Sequence, residues 1–137
     1  MRVWNSIQLI FTAIGGWIGW YMGGVDDFLI ALIVFVALDY LTGVMCAIVN
    51  KRLSSEIGAK GIFKKVLIFG LVGLAHMIDK HVLGEGSTFR TATIFFYLSN
   101  EGISFLENAS RLGLPIPEKL KDMLLQLTDK GGKKDAQ

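Results

Sequence analysis

The sequence predicts an all-α integral membrane protein with about four transmembrane helices and a short C-terminal amphipathic helix. Three observations lead there. Hydrophobic residues make up 52% of the 137 residues and charged residues only 19%, with a mean hydropathy of +0.49; soluble domains carry about a quarter charged residues. Four apolar runs follow one another along the chain. The basic residues are distributed unevenly between them.

The runs cover 7–22, 28–49, 62–78 and 91–106. A bilayer core needs about 20 helical residues. The second run meets that alone and, at about 1.5 Å per residue, would be about 33 Å long. The first and third need their flanks, and the fourth is the weakest in hydropathy. The first run does not read as a signal peptide: its only preceding charge is Arg2, and no small-x-small cleavage site follows it. It ends in a turn, Gly23-Gly24-Val25-Asp26-Asp27. The two aspartates suit the start of the second helix, where carboxylates cap free amides.

Lys51, Arg52, Lys60, Lys64 and Lys65 form a basic loop between runs two and three, and Lys80 and Arg90 alone separate runs three and four. Arg2 and the six basic residues after run four complete the set. Four crossings would put twelve of the fourteen basic residues on one side, the cytoplasmic one, with both termini there. Three would export the basic tail. The expected organisation is therefore a transmembrane domain over 1–112, with helices at about 5–22, 27–50, 62–80 and 89–111, and a cytoplasmic tail over 113–137.

Pro115 and Pro117 end the fourth helix. Ile116, Leu120, Met123, Leu124 and Leu127 are spaced for one face, which gives an amphipathic helix at about 117–128, placed on the membrane surface or against a neighbouring subunit. Residues 130–137 read as a polar, frayed end.

Within the helices, Gly15, Gly16, Gly19 and Gly23 share an arc of helix one and predict a close helix–helix contact, within or between subunits. Trp4, Trp20 and Tyr21 suit the two membrane interfaces. On helix two, Asp39 shares an arc with Thr42, Gly43, Cys46 and Asn50. An intramembrane carboxylate faces protein or water, so Asp39 and Thr42 are either structural or part of pore hydration. On helix four, Thr93, Tyr97, Asn100, Glu101, Ser104, Glu107 and Asn108 fall within about 120° of arc. That stripe must face protein or water. His76 and Asp79 are three apart and could touch, the bland reading being a polar helix end.

One cysteine, Cys46, and two histidines give no basis for a disulfide framework or a metal site. No nucleophile–base set and no phosphate loop can be assembled, so no enzyme, no cofactor and no nucleic-acid partner is expected.

Asp39-Tyr40-Leu41-Thr42-Gly43 with Ala47 resembles the LDYxTG element of phage holins of the toxin-secretion and lysis type. The segment 54–65 resembles that family's Ser-rich, KG-containing basic loop. Asp79 falls where the family has an aspartate after its third segment. The segment 97–108 is similar to its NExxSxxEN signature, and 113–117 to the glycine-to-PxP exit. The resemblance runs in order from Asp39 to Leu120. It implies a small phage-encoded protein of the host inner membrane that oligomerises and permeabilises the membrane at a set time. Endolysin, a functional partner that need not contact this protein, then reaches the wall, and some relatives are linked to toxin release. An antiholin would be a possible partner. The alternative is an antiholin-like regulator or a small channel or scaffold subunit.

Overall fold

The computed structural model describes residues 1–134, with side chains described to Asp129. Among the described residues there are five α-helices and no strand: α1 Arg2–Tyr21, α2 Asp27–Val49, α3 Ser55–Met77, α4 Thr88–Arg111 and α5 Glu118–Lys134. A π-helical turn, Ile78–Val82, extends α3.

Helix boundaries follow capping chemistry. Asp26 accepts a hydrogen bond from the Leu29 amide at 2.9 Å and starts α2. Ser54 does the same for the Ile57 amide at 3.2 Å, and Glu56 sits in the first turn of α3. This corrects the expected third helix. It begins at Ser55 rather than about 62, so the basic loop shrinks to Lys51 and Arg52, while Lys60, Lys64 and Lys65 lie inside a helix. Lysines favour helix nearly as well as leucine; their charge made a helical turn look like a loop. The amphipathic helix also outruns its expected end at about 128 and continues to Lys134, since Gly131 and Gly132 weaken a helix without breaking it. Residues 135–137 of the expected frayed end lie outside the described residues.

The core is apolar and lies between α2, α3 and α4. Leu29, Leu32, Val72 and Ile94 are fully buried there, with Val36, Ile68, Phe95 and Leu98 around them. α4 packs most extensively on α2 and α5, and α1 packs lightly on α3. Among the described residues two spans, Asp27–Val49 and Ser55–Val82, are long and apolar enough to cross a membrane, by length and composition. Their outer surfaces, and that of α1, carry large exposed side chains such as Phe11, Ile14, Trp17, Ile33, Leu67 and Leu74. A water-soluble bundle would bury such residues.

Glycines set close helix approaches, and within the single chain these are not at the glycine face of α1. Gly15 and Gly16 have open space where a Cβ would be, Gly19 meets only Val25, and Gly23 lies beyond the end of α1. The approaches instead occur at Gly73, where the Tyr21 ring occupies the Cβ position, and at Gly61, against Tyr40. The Tyr21 hydroxyl donates to the Gly70 carbonyl at 3.1 Å, and that of Tyr40 to Gly58 at 3.2 Å. Both contacts use one ring and one missing side chain to bring helices together.

Candidate functional site: two polar contacts on the fourth helix

Asp39, Lys65 and Glu101 each lie close to the middle of their own helix, α2, α3 and α4 respectively. Packing brings the three together. The Lys65 ammonium donates to Asp39 and, at 2.5 Å, to Glu101. Asp39 and Glu101 are only 6% exposed, so one cation on one helix is shared by two buried carboxylates on two others. Below it, the Asn108 amide donates to the Asp39 carboxylate at 3.0 Å and to the Thr42 hydroxyl at 3.1 Å. Ser104 also reaches Asp39, and the Cys46 thiol donates to the Asn108 carbonyl at 3.4 Å. No buried side-chain nitrogen or oxygen among the described residues lacks a partner. That is what a polar cluster inside an apolar bundle requires, because an unpaired group there costs far more than a paired one.

The expected polar stripe of α4 is thus divided. Glu101, Ser104 and Asn108 turn inward to Asp39, Thr42 and Lys65. Asn100 and Glu107 lie on the exposed side, where the side chain of Asn100, near the middle of the helix, has no hydrogen-bond partner among the described residues. Thr93 and Tyr97 are half-buried at the boundary; the Thr93 hydroxyl donates back to the Phe89 carbonyl, which satisfies it without a neighbour. Seven residues inside one arc did not share one environment, because α2 and α3 cover only one edge of that arc.

A second polar contact closes the opposite end of the bundle, where α1 stops, α2 starts, α3 stops and α4 starts. Arg90 is 5% exposed. Its guanidinium donates to the carbonyls of Met22, at 2.5 Å, and Gly24, at 2.9 Å, and to the Asp26 carboxylate at 2.7 Å. The Arg90 guanidinium holds the Asp26 carboxyl below its ordinary value. Asp79, carried on the π turn, accepts from the amides of Phe89 and Arg90, both at 2.9 Å, and so starts α4. His76 does not become its partner; its ring sits over Gly23 instead. Gly23 has φ of +88°, and a Cβ there would lie 2.7 Å from both Arg90 and His76, so only glycine fits. Arg90 and Lys65 are the residues that sequence reasoning missed as site members. Both had been counted only as loop charges that set orientation.

Lys51 and Arg52 are exposed, as are Lys60 and Lys64 on α3. Among the described residues no group of three or more His, Cys, Asp or Glu side chains is placed to hold a metal ion.

The sequence pattern of the bacteriophage holin family matches residues 16–129. An uncharacterised 14.9 kDa protein of Clostridium perfringens is 47% identical over 127 residues, covering 92% of this chain and 96% of that protein. An uncharacterised protein of Listeria monocytogenes is 44% identical over 118 residues, 86% and 84% of the two chains. A protein of Bacillus phage phi105 named as a probable holin is 34% identical over 104 residues, 76% of each. No solved structure matches the chain.

Proposed function

This chain belongs to the bacteriophage holin family, and we propose that it oligomerises in the bacterial cytoplasmic membrane and opens it, releasing endolysin or toxin and triggering lysis. The observation that carries this reading is the unpartnered outer edge of α4. Asn100 lies near mid-helix, exposed, with Glu107 two turns further along the same edge. In a bilayer such groups need water or a second copy of the chain. The inner edge, held by Lys65 and Asp39, keeps each copy closed on itself. A chain with one satisfied and one unsatisfied polar edge has two assemblies open to it, one packed and one hydrated, as a timed switch needs.

The topology proposed is four crossings with both termini cytoplasmic. α1 and α4, at about 30 and 36 Å, are long enough, and the basic residues still favour that side with Lys65 removed from the count. The glycine face of α1 at Gly15 and Gly16, open in the single chain, is proposed as a contact between copies. The protein acts without catalysis or cofactor.

Inducible expression in a bacterium, followed with a potential-sensitive dye, tests the reading. Abrupt loss of membrane potential after a fixed delay is expected. Asn100→Leu should remain in the membrane and delay or abolish that loss. Slow or ion-selective leakage from the parent protein would overturn the holin reading in favour of an antiholin-like regulator or a channel subunit. Unchanged timing in Asn100→Leu would remove the outer edge of α4 from the mechanism.

A further inference from the structure

The charged face of α5 is at odds with its position. The helix does not stand apart from the bundle: Leu124 is buried against α4, and Leu127 packs on the core. Gly102 makes this possible. A Cβ at that position would lie 2.8 Å from a Leu124 methyl and 3.2 Å from the Phe35 ring, so the absent side chain lets α5 close into the groove between α2 and α4. Gly102 is nine residues, about 14 Å, inside the end of α4. If α4 crosses the bilayer, α5 runs back beside it within the membrane.

The opposite face of α5 carries Glu118, Lys121, Asp122 and Asp129, all exposed. Ionised groups at that depth are costly against lipid and are found facing protein or water. This face is continuous with the outer edge of α4: Glu107, Ser110 and Arg111 share with Glu118 and Lys121 a cleft of about 400 Å³. The exposed surfaces of α1, α2 and the part of α3 beyond Lys65 are mostly apolar in contrast. Each copy therefore has a lipid-like flank and a charged flank, and the charged flank is made by two helices rather than one.

We infer that α5 stays docked in the assembled form, and that its charged face joins the outer edge of α4 as the water-facing wall of the permeation path, with further copies of this chain completing the ring. This rests on the pore-forming reading above with α1 to α4 as the four crossings, and it departs from that reading in one respect: α5 carries the C-terminal end back into the bilayer instead of leaving it in the cytoplasm. It differs from a tail lying on the membrane surface, and from a clasp that must leave before the membrane opens.

Two measurements test it. Gly102→Cys with Leu124→Cys, in a Cys46→Ser background, puts two thiols on facing positions, a Cβ at 102 lying 2.8 Å from a Leu124 methyl, and oxidation, followed by the loss of free thiol, staples α5 to α4. The purified protein is reconstituted in phospholipid vesicles loaded with a fluorescent dye. Release by the oxidised staple within about twofold of the reduced form is expected. Release by the reduced form alone means that α5 must leave, which overturns the inference while the pore reading stands. No release by either form or by the parent overturns the pore reading itself. In planar bilayers under a KCl gradient, Arg111→Glu with Lys121→Glu should move the reversal potential toward that of potassium. A reversal potential unmoved by the two charge reversals places α5 away from the ion path and overturns the inference.

Discussion

The Asp39–Lys65–Glu101 contact at the middle of the bundle and the Arg90 contact at its end both tie α4 to earlier helices, but on different terms. At the middle, charged side chains serve one another, with two carboxylates sharing a single ammonium. At the end, the guanidinium serves backbone as much as a side chain: two of its four acceptor atoms are carbonyls of the α1–α2 turn, and the other two are the carboxylate oxygens of Asp26, which is 44% exposed. Arginine suits that position because its donors are fixed in a fork and can reach several acceptors at once. Lysine suits the middle because one compact charge can sit between two carboxylates. The end contact therefore fixes where a turn lies. The middle contact fixes whether three helices stay together, and its stability depends on charge balance.

Loss of balance at the middle should have the largest effect. Lys65→Met leaves two buried carboxylates without their cation, and breaking a buried ion pair from one side costs about 3–5 kcal/mol. Unfolding of the purified protein by denaturing detergent would register this as a large loss of stability. Adding Asp39→Asn and Glu101→Gln to Lys65→Met should restore most of it, because no uncompensated charge then remains. A triple variant as unstable as Lys65→Met would show that shape, rather than charge, holds the three helices.

Arg90→Met should come next. It strands the Met22 and Gly24 carbonyls and frees Asp26, while Asp79 still starts α4 through backbone amides. Hydrogen bonds from charged donors are worth about 1.5–3 kcal/mol, and a loss of about 2–3 kcal/mol is expected in the same assay. Hydrogen exchange should rise at the α1–α2 turn and leave the middle of α2 protected. Exchange that rises equally in both places would mean that the two contacts form one cooperative unit.

The same contrast explains what could be read from sequence. α2 was legible because a long apolar run and an Asp-Asp cap both mark it. Asp39 and Asn108 were legible as polar residues needing partners, and the structure does bring Asn108 to Asp39 and Thr42. Lys65 was not, since it lies 26 and 36 residues from its two partners and stands among other lysines that remain exposed. Nothing local separates the lysine that turns inward from Lys64 beside it; the choice is made by how α3 rotates against α2, which Tyr40 on Gly61 helps to fix. Arg90 was hidden for a similar reason. Two of its three partner residues accept through main-chain carbonyls, which leave no trace in residue identity. The division of the α4 stripe also came from packing, because helical periodicity gives an arc but not which edge of it a neighbour covers.

The smallest effect, and the one that separates the two contacts by sign, is the response to acid at the bundle end. The Arg90 guanidinium lowers the Asp26 carboxyl from its ordinary value of 3.8. A depressed folded value means that the folded state binds the proton less readily than the unfolded one. The stabilisation is therefore fully present above the ordinary value and is lost as pH falls through the lowered one. Because Asp26 is partly exposed, solvent screens much of the interaction, and the effect should be a shallow slope rather than a transition. Thermal unfolding in a mild detergent, compared between the parent and Asp26→Asn, isolates it. The difference in stability should be constant from neutral pH down to about pH 5 and should shrink below about pH 4, as the parent loses the charge that the variant never had. A difference that grew on acidification would have the wrong sign for a carboxylate held by Arg90, and would assign the stability of this turn to the backbone carbonyl contacts alone.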